Sequence, residues 1–268
     1  MMRYRYAPFL LSAAASFAAG CGDSDPVDAR PPRQTVVAVD LSGSQTPQSL
    51  QDSREFVGKL IDQLSYGDQF VLIEMSRSGV HGEMKRMVDS VPALADPTFV
   101  SSVDEDNLDG TKEAMRSLVP ILFDSTLVGR ILQTDIFATL HTASEYVRDK
   151  GGRPTTLVLL SDMLQSANGI EMEQLRRMPG PQWIAQQKSR GTLPDLAGVC
   201  VVVVGADDST PEGVEVKRFW VEYMKAAGAD LRDSNYRLLA TGVGDVSCGA
   251  GSTGGTAVGQ SAHRASPP

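Results

Sequence analysis

Runs of consecutive apolar residues constrain this chain more than any other feature. Val36-Val37-Ala38-Val39, Leu157-Val158-Leu159-Leu160 and Val199-Cys200-Val201-Val202-Val203-Val204 leave no alternate position polar. A strand with one wet face alternates. One that is apolar on both sides must be covered on both faces, as central strands of a parallel sheet are, so strands are expected over 35–40, 155–160 and 199–205. Between these runs lie segments with helical spacing. Leu50, Phe56, Val57, Leu60, Ile61 and Leu64 follow Thr46-Pro47, where the proline suits a first turn. Residues 135–149 and 212–227 carry the same period, and Gly228 is a C-terminal stop. This alternation predicts an α/β fold: a doubly wound, mostly parallel central sheet with helices on both faces.

Weaker signals fill in the rest. Strands are expected over 69–75, over 84–89 as an antiparallel edge, and over 237–240. A helix is expected over 111–123, its end disturbed by Pro120. Residues 90–110 read as a loop, with Asp104-Glu105-Asp106 and Asp109 as its solvated acidic stretch. Phe219, Trp220, Tyr223 and Met224 fall at helical spacing and read as core. Residues 163–197, with Trp183, read as a covering segment. This stretch and 77–133 are the loops expected to set partner choice.

The two ends differ from the middle. Arg3 and Arg5 precede an apolar stretch from Ala7 to Ala19, which is too short to span a bilayer as a mature helix. It ends in Ala18-Ala19-Gly20-Cys21, which resembles a bacterial lipobox with Ala18 in place of the usual leucine. Residues 1–20 are therefore expected to be a lipoprotein signal peptide, with Cys21 lipidated and anchoring the chain to a membrane of the cell envelope, on its periplasmic or surface side. Residues 21–33 read as a Pro-rich tether. Residues 241–268, rich in Gly and Ser, bury too little apolar surface to order and read as a disordered tail. The folded domain is expected over 34–240. The formal net charge of -8 falls by two more when Arg3 and Arg5 leave, which argues against a nucleic-acid partner. Export permits a Cys200–Cys248 disulfide; the alternative is a free buried Cys200 and a free tail Cys248.

Oxygen ligands collect where the apolar runs stop. Asp40-Leu41-Ser42-Gly43-Ser44 follows the first run and Ser161-Asp162 follows the second. Thr134-Asp135 opens the helix 135–149, where either residue could serve as a cap. Ligands of open α/β sheets gather at the carboxyl ends of strands, and hard divalent cations take clustered oxygens.

On these residues the chain resembles the von Willebrand factor A domain family, the integrin I-like fold, over about 34–240. Asp40, Ser42 and Ser44 match its Asp-x-Ser-x-Ser motif. Thr134 matches the threonine of its second loop and Asp162 the aspartate of its third. Met163 stands where the family often has glycine. The resemblance implies a metal-ion-dependent adhesion site. Ser42, Ser44 and Thr134 would hold Mg2+, or alternatively Mn2+, directly. Asp40 and Asp162 would act directly or through water. One position would stay open for an acidic residue of a protein partner.

Other classes find less support. An Asp nucleophile of the haloacid-dehalogenase-like phosphatase kind needs a second Asp two residues on, where Ser42 stands. A serine nucleophile needs a base. His81, His141 and His263 have no triad context, and His141 reads as a packing residue. No Cys-x-x-Cys, His-Glu-x-x-His or Walker loop occurs. The expected function is therefore a membrane-anchored, metal-dependent binding module and not an enzyme. A scaffold lipoprotein with a degenerate metal site is the main alternative.

Overall fold

The computed structural model describes residues 30–75, 86–123, 133–148, 152–238 and 248. The expected signal peptide, Cys21, His81 and His263 lie outside these residues. So do most of the tether and all of the tail except Cys248.

Six strands form one sheet in the order β3-β2-β1-β4-β5-β6. They are β1 (Gln34–Asp40), β2 (Gln69–Met75), β3 (Arg86–Ser90), β4 (Thr155–Leu160), β5 (Cys200–Val204) and β6 (Asp230–Arg237). All neighbours are parallel except β2 and β3, so the one antiparallel strand lies at an edge, as the sequence predicts. The chain runs from β1 to β2 on one side and places β4 on the other. The crevice beyond the carboxyl ends of β1 and β4 is thus a topological switch point, where open α/β sheets take their ligands.

The period of two in the strands sorts the core into two layers. Val37, Val39, Phe70, Leu72, Val158, Leu160 and Val202 pack against α1 (Pro47–Asp62) and α2 (Ser102–Leu122). Val36, Ala38, Val71, Ile73, Leu157, Leu159 and Val201 pack against α3 (Ile136–Arg148), α4 (Pro181–Arg190) and α5 (Pro211–Ala226). Both faces are therefore covered, which is why the central strands lack polar alternation. Each fully buried aliphatic side chain contributes about 1.5–3 kcal/mol.

Four expectations need correction. Residues 102–110 are not loop: α2 starts at Ser102, and Asp104, Glu105, Asp106 and Asp109 lie on its first turns. Ser101 accepts from the Asp104 amide and the Asp104 carboxylate accepts from the Ser101 amide, a capping box that also sets negative charge at the positive end of the helix. The last described strand is Asp230–Arg237, earlier in the chain than the strand expected from 237, of which residues 239 and 240 lie outside the described residues; its polar sequence belongs to an edge. Residues 30–33 of the expected tether are held to the domain. The Arg30 guanidinium pairs with Asp68 at 2.6 Å, and the Arg33 amide donates to the same carboxylate at 2.8 Å. Finally, His141 is exposed on α3 and packs into no core.

Cys200 and Cys248 are bonded, with Cα atoms 5.4 Å apart. The Asn235 amide nitrogen donates to the Val201 carbonyl beside them and lies 3.1 Å from Cys248 Sγ. Among the described residues no helix is long and apolar enough to cross a membrane.

Candidate functional site

Three loops meet at the switch-point crevice. The first leaves β1 and carries Asp40, Ser42 and Ser44. The second precedes α3 and carries Thr134. The third leaves β4 and carries Ser161 and Asp162. The structure therefore brings together all five residues singled out in the sequence.

Asp40 is the hub. It is buried, with 1% of its surface exposed. The Ser42 amide donates to its Oδ1 at 2.9 Å, and the Ser161 hydroxyl donates to its Oδ2 at 3.0 Å. Thr134 Oγ1 lies 3.4 and 3.5 Å from the two carboxylate oxygens. Ser42 Oγ and Ser44 Oγ are 2.9 Å apart, and Ser44 Oγ is 3.4 Å from Asp162 Oδ2. Asp135, by contrast, is the cap: its Oδ1 accepts from the Ala138 amide at 3.1 Å. The ambiguity between Thr134 and Asp135 is resolved, with Thr134 facing the crevice and Asp135 ending the helix.

Burial pushes the Asp40 carboxyl above its ordinary range, against the pull of the bonds from Ser42, Ser161 and Thr134. Burial first, and then the charge of Asp40, raise Asp162 to about 6; the Leu164 amide and Ser44 oppose the shift. Among the described residues no Lys, Arg or His forms an ion pair with either carboxylate. Two carboxylates that repel each other, with three hydroxyls beside them, all hard oxygens and with no compensating cation among the described residues, fit a divalent ion such as Mg2+ in donor chemistry and in charge. Among the described residues no three His, Cys, Asp or Glu side chains converge, so the donor set depends on the hydroxyls.

Comparison with known proteins gives likeness only in structure. No family model and no curated protein matches the chain. Similar solved structures include a von Willebrand factor type A protein from Catenulispora acidiphila. It is 14% identical with a TM-score of 0.40, over 75% of this chain and 39% of that one. An aerotolerance-related membrane protein from Bacteroides fragilis is 16% identical with a TM-score of 0.39, over 76% of this chain and 93% of its own. Proximal thread matrix protein 1 of the mussel byssus is 16% identical with a TM-score of 0.38, over 69% of this chain and 41% of its own. This chain thus spans less than half the length of the mussel and Catenulispora proteins. Function has to be read from the site itself.

Sequence reasoning missed the residues that support the five. Ser161 continues the strand period and turns its hydroxyl onto Asp40, and it also accepts from the Met163 amide at 3.0 Å. Gln45 reaches from the first loop to Asp162 Oδ2 at 3.3 Å and accepts from the Ser49 hydroxyl at 2.7 Å. Met163 adopts φ 64°, a backbone region that suits the glycine the resemblance led one to expect. A hydroxyl directly before a strand-end Asp was the available signal for Ser161; no local signal marked Gln45.

Proposed function

We propose that this chain is a divalent-cation-dependent protein-binding module, tethered to a membrane of the bacterial cell envelope through Cys21. The observation that carries the reading is the meeting of Asp40, Ser42, Ser44, Thr134 and Asp162 at the switch point with no cationic side chain, among the described residues, to balance the two carboxylates. Ser42, Ser44 and Thr134 would hold the ion through neutral oxygens, and Asp40 and Asp162 would hold it directly or through water. A bound Mg2+ would supply an electron-poor centre with a coordination position open to an acidic side chain of a partner. Asp40, fixed by Ser42 and Ser161, orients the hydroxyl of Thr134. Gln45 and Ser44 hold Asp162 toward the first loop. Ser42 stands two residues after Asp40, where a carboxylic acid would be needed to protonate a leaving group. This supports binding in place of hydrolysis.

The test is calorimetric titration of Mg2+ and Mn2+ into the full chain and its Asp40→Ala variant. Saturable one-site binding by the wild type, lost in the variant, is the expected result. Equal binding by both proteins would sink the site.

A further inference from the structure

The second and third loops are joined by a side chain that belongs to neither the ligand set nor the core. Gln165 is fully buried, with 0% exposure. Its Oε1 accepts from the Ile136 amide at 2.6 Å and lies 3.4 Å from the Phe137 nitrogen. Its Nε2 donates to Asp135 Oδ1 and to the Ala167 carbonyl, both at 3.3 Å. Both donor hydrogens and the acceptor oxygen of the amide are thus engaged. Ile136 and Phe137 carry amides of the first turn of α3, which have no partner within the helix. Gln165 therefore caps α3 from a different loop, next to the cap that Asp135 gives to Ala138.

Its neighbours complete the seam. The Thr134 amide donates to Ser166 Oγ at 2.9 Å, and the Ser166 amide returns a bond to the Thr134 carbonyl at 3.0 Å. Asn168 Nδ2 donates to Asp135 Oδ2 at 2.7 Å. A buried polar network with every member satisfied is rigid, because moving one member exposes several unpaired groups. Thr134 sits inside this network on its backbone side and faces Asp40 on its hydroxyl side.

We propose that Gln165 is a positioning residue: it locks the Thr134 loop to the Asp162 loop and so fixes the Thr134 hydroxyl against Asp40 before any cation arrives. The proposal rests on reading the crevice as a cation site. Preorganisation of this kind removes the cost of ordering a ligand at the moment of binding. Partners that orient metal ligands typically contribute about 10–100-fold in affinity.

The test uses Gln165→Met, which keeps the length and volume of the side chain while removing both polar ends, and Leu140→Ala as a control that weakens α3 through its core. Amide hydrogen exchange is measured on the metal-free full chain, and Mn2+ affinity by calorimetry. Gln165→Met is expected to speed exchange at Thr134 and Ile136 and to weaken Mn2+ binding at least about tenfold. Leu140→Ala should lower thermal stability with affinity retained. Wild-type affinity and exchange in Gln165→Met, or an equal loss of affinity in Leu140→Ala, would overturn the proposal. Should the wild type bind no divalent cation, the reading of the crevice fails. Exchange alone then decides the lock: faster exchange in Gln165→Met supports it and unchanged exchange overturns it.

Discussion

The indole Nε1 of Trp220, on α5, donates to the carbonyl oxygen of Met163 at 2.8 Å, and Met163 is held at φ 64°. A left-handed backbone costs a residue with a side chain about 1–2 kcal/mol. The cost is met from two directions. The Met163 side chain is fully buried in the layer that also contains Trp220, and its carbonyl is fastened to the indole. The aromatic group that the sequence places in the core therefore also braces the loop carrying Asp162.

Replacing Trp220 by Phe keeps a ring in the core and removes the donor. The Met163 carbonyl, buried and unpaired, then costs about 1–3 kcal/mol. Urea denaturation of Trp220→Phe should show a loss in that range, with divalent affinity reduced because Asp162 is less firmly held. A variant as stable as wild type would mean that the core alone keeps Met163 in place.

The carboxylates give the metal-free protein an unusual pH profile. Asp162 titrates at about 6 when folded and near the ordinary 3.8 when unfolded. Between these values the folded state holds more protons, so the stabilising contribution of Asp162 is full below pH 3.8 and is lost as pH rises through 6. The raised carboxyl of Asp40 acts in the same direction. The Asp162 contribution is on the order of 3 kcal/mol. Thermal melts without divalent ions should therefore show a component that declines from about pH 4 to pH 6.5, and Asp162→Asn should flatten it. Excess Mg2+ should reverse the trend, because binding needs the deprotonated pair. A profile unchanged by Asp162→Asn would contradict the assignment.

Asp40→Asn separates stability from function. The amide oxygen can still accept from the Ser42 amide, and the amide nitrogen can donate to Ser161 Oγ, so the local bonds survive. The like-charge repulsion with Asp162 does not. The metal-free variant should be more stable than wild type at pH 7 by about 1–2 kcal/mol and should bind no divalent cation. A less stable variant would show that the charge of Asp40 is needed by its hydrogen-bond donors.

The disulfide closes a loop of 48 residues between β5 and the segment that follows β6. Chain-entropy arguments give such a loop about 4 kcal/mol. Cys200→Ser with Cys248→Ser should lose about 2–4 kcal/mol in denaturant melts, and reductant should then have no further effect. Insensitivity of the wild type to reductant would show that the bond carries little of the stability.

The legible parts of this chain were those set by a single local rule. β2 and β4 could be bounded to the residue because apolar runs on two covered faces have sharp ends, and β1 to within one. The motif Asp40-x-Ser42-x-Ser44 could be placed because it follows such a run. The start of α2 was obscured because Asp104, Glu105, Asp106 and Asp109 resemble a solvated loop in composition, although Ser101 and Asp104 formed a readable capping box. β6 was not read as a strand because its edge position allows Asp230, Arg232, Asp233 and Ser234 where a central strand would carry valine. Gln45 and Gln165 were beyond reach for a different reason: each bridges two segments far apart in sequence, and a glutamine has no local pattern that announces its partner.

Gly205 provides the most specific test of how the sheet supports the site. It ends β5 with φ 106°, a conformation open to glycine and hardly to any other residue, and a Cβ there would lie 3.2 Å from the carbonyl oxygen of Ser161. Ser161 is bonded to Asp40 through its side chain, so the push would reach the hub of the three loops directly. Gly152 has a comparable φ of 80° with nothing within 4 Å of its added Cβ, and so carries the backbone strain without the collision. Both alanine variants should lose about 1–3 kcal/mol. Only Gly205→Ala should also weaken divalent binding, and it should raise the exchange rate of the Met163 amide, which depends on Ser161 Oγ. Equal affinity in the two variants would show that the hydrogen bond from Ser161 to Asp40 tolerates displacement, and that the loops around Asp40 hold the site without help from β5.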